Sequence, residues 1–338
     1  NTSGTCNVAI GFCALVANTT CLENTAVGSF ALCKNTSGNN AALGGYAGFG
    51  NTSGYANVYV GHLTGCCNST GYQNTFLGSQ AGRGLAAGVH NVTIVGYAAG
   101  CVNQCSRITA VGSQALKCNT TGACNSALGY TALFKNTTGN NNTALGLAAM
   151  ICNTEGGQNV AVGRSMNKNC CGSDNTAVGY LALDCNVDGS NNTVVGSQAL
   201  NFNTTSNNTA MGYGAAYCST GCQNTAIGSL ALRGSGTSNG TKNVAVGYTA
   251  LCKVTSGALN VAVGANALKC NTSSCSSTAI GYNALTVNTG PSNTAVGKDS
   301  MESNTSGNNN TAVGADALAA NTTACNNVAM GKSALAAN

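Results

Sequence analysis

A five-residue pattern of polar, β-branched, small, aliphatic and glycine positions recurs along the whole chain, as in Asn24-Thr25-Ala26-Val27-Gly28. Its glycine stands at Gly11, Gly28, Gly44, Gly61, Gly78, Gly96, Gly112, Gly129, Gly146, Gly163, Gly179, Gly196, Gly212, Gly228, Gly247, Gly264, Gly281, Gly297, Gly314 and Gly331. These 20 copies lie 16 to 18 residues apart, except for 19 between Gly228 and Gly247, so the period is close to 17. A unit that short encodes one coil of a repeat array rather than a domain.

The position before the glycine is aliphatic in every copy, as in Ile10, Val27, Leu43 and Val111, and this column is expected to form the core. The position before that is alanine in 16 of the 20 copies, with Tyr59, Phe76, Ile94 and Val194 as exceptions. Alternate residues of a strand face opposite ways, so the alanines are expected to point outward as a flat row against which a second array could pack. Asn-Thr-Ala-Val-Gly is short, partly β-branched and bounded by turn formers, which predicts a strand. After the glycine come two variable residues, alanine in 17 copies and then mostly leucine, as in Ala31-Leu32, which predicts a second short strand or a bend. Segments such as Asn35-Thr36-Ser37-Gly38 suit turns that need positive φ.

One such unit buries almost nothing, whereas parallel stacking pairs every strand with the next copy. The predicted fold is all-β: a parallel β-solenoid, or β-roll, of about 20 coils, with residues 1–338 as one array. At the spacing of paired strands the coils would build a rod roughly 95 Å long. Asparagines four before the glycine, among them Asn24, Asn40 and Asn57, are expected to form amide ladders. A helical repeat is rejected, since such units need about 33 residues or more and this much Gly, Asn and Thr opposes helix.

Composition narrows the function. Only 6% of residues are charged, and 13 basic against 8 acidic residues leave a net charge of +5 without clusters, which gives no nucleic-acid footprint. No apolar run is long enough to span a bilayer, and Asn1-Thr2-Ser3-Gly4-Thr5-Cys6 is not a signal peptide, so a soluble, already processed chain is expected. His62 and His90 are the only histidines and the carboxylates are scattered, so no catalytic constellation is assembled; neither enzymatic activity nor a cofactor is expected. His62 with Cys66 and Cys67 is the one imaginable metal cluster, set aside in favour of bonds between coils.

Twenty cysteines with two histidines point to disulfides and an extracellular or cell-surface location. Spacing suggests bridges within a turn for Cys101 with Cys105, Cys118 with Cys124, Cys218 with Cys222 and Cys270 with Cys275. Others sit one period apart, such as Cys6 with Cys21, Cys152 with Cys170 and Cys171 with Cys185; the sequence does not choose among these connectivities. The turns also hold 17 Asn-x-Ser/Thr acceptor sequences. One column, about ten residues before the glycine, contains Asn1, Asn18, Asn35, Asn51, Asn68, Asn119, Asn136, Asn203, Asn271, Asn304 and Asn321. A second group five before it includes Asn141, Asn191, Asn207 and Asn309, and Asn91 and Asn239 complete the set. Exposed turns would make all of them N-glycosylation sites, a sugar coat for a nearly uncharged array.

Asn7-Val8-Ala9-Ile10-Gly11 and Asn159-Val160-Ala161-Val162-Gly163 resemble the head repeats of trimeric autotransporter adhesins, and the Asn-Thr-Ala-Val-Gly form resembles repeats of phage tail-fibre and other surface proteins. The resemblance implies a left-handed parallel β-roll, often trimeric, used for attachment. The expected function is therefore a structural or adhesive extracellular fibre. Self-association is expected head to tail, where Cys325 would meet Cys6 of the next copy, with lateral bundling besides. The alternative is an ice-binding solenoid that uses the threonine row of Thr25, Thr75, Thr143 and their equivalents.

Overall fold

The structure is a computed structural model that describes residues 1–236 and 238–337. The chain divides into two compact units, Asn1–Ser173 and Asp174–Asn338. Among the described residues each unit contains ten strands of three residues, β1 (Val8–Ile10) to β10 (Val160–Val162) in the first and β11 (Thr176–Val178) to β20 (Val328–Met330) in the second. Within the first unit every strand pairs in parallel with the next, each repeat position on the same position of the neighbouring copy, from Ala9↔Ala26 to Ala161↔Ala144. Within the second unit the same register runs from Ala177↔Val194 to Ala312↔Ala329. Parallel pairing of successive strands at one coil per repeat is the expected β-solenoid. Among the described residues there is no helix, and hence none long and apolar enough to cross a membrane.

The coil turns its hydrophobicity inside out relative to the sequence-based expectation. The strand alanines are the buried ones, with Ala26, Ala110, Ala177 and Ala262 at 0% exposure, while Leu43, Leu128 and Met211 of the aliphatic column are 53%, 48% and 47% exposed. Threonine and the aliphatic residue therefore share the outer face, and the expected outward alanine row does not exist. The reason is width. Across the interior from each strand alanine lies the Ala-Leu pair that follows the glycine, with Ala31, Leu32, Ala132 and Leu133 all fully buried. A narrow coil has room for one large residue per layer, and the leucine takes it.

The Ala-Leu stretch is a turn rather than a strand. Its leucine and the second residue after the glycine both adopt left-handed φ, as in Phe30 (58°) and Leu32 (46°), and a third such corner lies five before the glycine, as in Glu23 (59°). Each left-handed non-glycine residue costs about 1–2 kcal/mol in isolation, here offset by hydrogen bonds to the adjoining coil such as Leu32 N–H to Ala47 O at 3.0 Å. The repeat glycine itself has φ between 126° and 143° in 18 copies, a region closed to side chains. At Gly61 a Cβ would also lie 2.7 Å from the carbonyl carbon of Gly78 in the next coil.

Two asparagine ladders complete the interior. Four before the glycine, the Asn40 side-chain oxygen accepts the Asn57 backbone N–H at 3.0 Å, and the Asn57 oxygen accepts that of Asn74 at 3.1 Å. In the turn column, Asn136 Nδ2 donates to Asn119 Oδ1 at 2.7 Å and to Gly139 O at 3.0 Å, and Asn153 Nδ2 donates to Asn136 Oδ1 at 2.8 Å. A buried amide left without partners is costly, so these ladders hold successive turns in register.

Candidate functional site

The feature with most capacity for interaction is the outer face of the strands. In each unit it carries two parallel rows, the residue three before the glycine and the aliphatic residue one before it. Neither row contains a charged residue. In the first unit the hydroxyl row runs through Thr75, Thr93, Thr109, Ser126 and Thr143 on five consecutive strands, all exposed. Beside it stand Leu77, Val95, Val111, Leu128 and Leu145, of which the three leucines are 43–48% exposed. A shallow apolar trough on this face is lined by Thr109, Val111, Ser126, Leu128, Thr143 and Leu145. In the second unit Thr176, Thr193, Thr209 and Thr225 continue the pattern with Val178, Val195, Met211 and Ile227.

The acceptor asparagines separate into two classes. Asn18, Asn35, Asn51, Asn68, Asn119, Asn136, Asn203, Asn271, Asn304 and Asn321 are at most 2% exposed, which corrects the premise that their column lies on open turns. Their Nδ2 atoms, where a glycan would attach, are spent on hydrogen bonds, along the ladder as in Asn51 to Asn35 at 2.8 Å and Asn304 to Asn288 at 2.7 Å, or to a backbone carbonyl as in Asn18 to Cys21 at 3.2 Å. Asn1, Asn91, Asn141, Asn191, Asn207, Asn239 and Asn309 are exposed. Five of these sit at the left-handed corner, Asn91 (55°), Asn141 (57°), Asn191 (59°), Asn207 (64°) and Asn309 (55°). Asparagine tolerates that conformation better than most residues, a structural reason for its presence there.

Cys101, Cys105, Cys118, Cys124, Cys218, Cys222, Cys270 and Cys275 carry free thiols in this structure, as do Cys6 and Cys325. The chain between Cys101 and Cys105 passes through the fully buried Asn103. The electrostatic neighbours are on adjacent coils instead. Burial raises the Cys105 thiol above its ordinary value and the Cys124 thiol raises it further. Burial likewise raises Cys252, with Arg233 and Lys269 pulling it down and Cys270 adding to the rise. Cys66 and Cys67 lie 3.7 Å apart sulfur to sulfur, and burial followed by the Cys67 charge pushes the Cys66 thiol up to about 11. His62 stands edge-on to Tyr46, with ring centroids 6.4 Å apart. Among the described residues no group of three or more His, Cys, Asp or Glu is placed to hold a metal ion.

Sequence reasoning overlooked one column, the residue directly after the repeat glycine. Tyr97, Tyr130, Tyr180, Tyr213, Tyr248 and Tyr282 stand there, each 50–58% exposed. The signal was present as a tyrosine following alternate repeat glycines from Gly96 to Gly129 and from Gly179 to Gly281. Comparison with protein-family models and with curated proteins gives no match.

Proposed function

We propose that this protein is a structural fibre component of the extracellular or cell-surface type, associating laterally with further copies through its Thr-x-aliphatic face. The observation that carries the reading is the uncharged row of leucine, valine, isoleucine and methionine on the strands of each unit, every member of it exposed or half-buried and none of them closed off in the core. Soluble monomers seldom leave apolar patches beyond a few hundred Å² open. Any partner with the same coil spacing can set its own rows between these, and a second copy of this chain has that spacing by construction. Glycans belong in this reading on the exposed corner asparagines, Asn141, Asn191, Asn207 and Asn309, and not on the buried ladder.

Sedimentation velocity of the full chain beside the Leu128→Lys, Leu145→Lys variant tests the packing. The native chain is expected to sediment as oligomers that the variant dissociates without change in its circular dichroism. A monodisperse native monomer at micromolar concentration would overturn the reading. Glycopeptide mass mapping of secreted material is expected to find Asn141 modified and Asn136 bare.

The unbroken hydroxyl row from Thr75 to Thr143 favours a second reading, an ice-binding face, because its side chains repeat at one fixed spacing beside an apolar row. Thermal hysteresis in a dilute solution of the chain separates the two, since lateral packing alone produces none.

A further inference from the structure

We propose that the second unit carries a binding row for an extended β-1,4-linked polysaccharide of the cellulose and chitin class, formed by Tyr180, Tyr213, Tyr248 and Tyr282. The proposal does not rest on lateral packing, because none of the four tyrosines belongs to the Thr-x-aliphatic face.

The four side chains are 52%, 56%, 58% and 50% exposed, which is high for large aromatic residues on a folded surface. Each follows a repeat glycine, and they fall on alternate coils with Ser197, Ser229 and Ala265 on the coils between. Those intervening residues are too small to cover a neighbouring ring. The contrast with Tyr55, Tyr72 and His90 is instructive: they occupy consecutive coils, stack at 5.1 and 4.8 Å between centroids, and so hide one another's faces. The backbone that carries the row is tied to the adjoining coils. Gln198 N–H donates to Tyr180 O at 2.8 Å, Leu230 N–H to Tyr213 O at 2.9 Å, Asn266 N–H to Tyr248 O at 3.0 Å and Asp299 N–H to Tyr282 O at 2.9 Å.

Two coils of paired strands advance roughly 9.6 Å, close to the length of two pyranose residues in an extended β-1,4 chain. In such a chain the substituents are equatorial, so each sugar offers a flat face of C–H groups. That face suits the electron-rich face of an aromatic ring, while the tyrosine hydroxyl remains free to bond sugar hydroxyls. An α-1,4 chain coils and does not present faces at this interval. Polar partners flank the row. A groove beside Tyr213 is lined by Gln198, Tyr217, Leu230 and Arg233. Farther along, Thr249 Oγ1 donates to Asn266 Oδ1 at 2.7 Å and Asn266 Nδ2 to Asn283 Oδ1 at 3.0 Å, a side-chain ladder with capacity for further bonds to hydroxyls. Tyr97 and Tyr130, with Ser113 between them, repeat the arrangement within the first unit.

The test is depletion of the full chain from solution by microcrystalline cellulose and by α-chitin, with granular starch as the α-linked control. Retention on the β-1,4 polymers and not on starch is expected. The Tyr213→Ala, Tyr248→Ala variant is expected to bind on the order of ten-fold more weakly or worse, the loss of two ring contacts. Tyr213→Leu, Tyr248→Leu keeps apolar bulk should the alanine variant not fold, and is expected to show the same loss. No depletion by either polymer, equal depletion by starch, or native binding by a folded double variant would overturn the proposal. A chain that sediments as a monomer yet is retained on cellulose would remove the lateral packing and leave this site standing.

Discussion

Two stretches of the molecule fill the same interior in opposite ways. In the first unit the strand position two before the glycine is Tyr59, Phe76 and Ile94 on three successive coils, each fully buried. In the second unit the same position is Ala226, Ala245 and Ala262, also fully buried. The opposing wall compensates. Around the large residues the position usually held by leucine is Gly48, Gly65, Gly82 and Gly100, whereas opposite the alanines stand Leu232, Leu251 and Leu268. A Cβ on Gly48 would lie 2.8 Å from the Tyr59 ring and one on Gly82 3.1 Å from the Phe76 ring. The interior therefore conserves a sum across the coil rather than a residue type on either wall, as close packing requires.

The sharpest way to break this comparison is Phe76→Ala, which empties a layer where glycine stands at the usual leucine position. A loss of about 4 kcal/mol is expected in chemical denaturation. Adding Gly82→Leu is expected to recover part of it, and a double-mutant cycle measures the coupling. The complementary error, Gly65→Leu, drives a side chain onto Tyr59 from a backbone at φ 54°. Overpacking of that kind costs about 3 kcal/mol, while leucine at the equivalent Leu251 is native. Asn136→Ala removes a rung shared by both units' design, and leaving Asn119 Oδ1 without its donor and Asn153 Nδ2 without its side-chain acceptor is expected to cost about 2 kcal/mol.

The smallest effect is one of pH. The Cys66 thiol is pushed up to about 11, above the value near 8.5 of an unfolded cysteine. Above that lower value the unfolded chain loses its proton first and the folded chain resists. Stability is expected to fall as pH rises from about 8.5 towards 11. Thermal melts across that range check it, and Cys66→Ser is expected to lessen the slope.

Much of the fold was legible because a 17-residue period with a strand-like pentapeptide admits few architectures, and Gly28 with its equivalents marked each coil. The facing of the strand was not. Alternation places Ala26 opposite Thr25 and Val27, but it does not say which side is inside, and hydrophobicity pointed to valine. The deciding quantity was the width of the coil, already hinted at by Tyr59, Phe76 and Ile94 falling beside glycines at the leucine position. The turn asparagines misled for a related reason. Asn136 reads as a sequon when the turn is taken as open, and its side chain turns inward because the ladder below and above completes its hydrogen bonds. The pairing of the cysteines was not legible, since spacing along the chain does not fix the distance between two sulfurs across a corner.

The facing of the strand is tested most directly by a pair of thermal melts on Ala144→Lys and Leu145→Lys, adjacent residues of the strand Thr143–Leu145. With Ala144 buried and Leu145 43% exposed, lysine at 145 is expected to leave the melting temperature within a few degrees of the native chain, as for a surface change. Lysine at 144 places a charge in a closed, dry interior and is expected to abolish the cooperative transition of that unit. A native-like melt for Ala144→Lys together with collapse of Leu145→Lys would contradict the account.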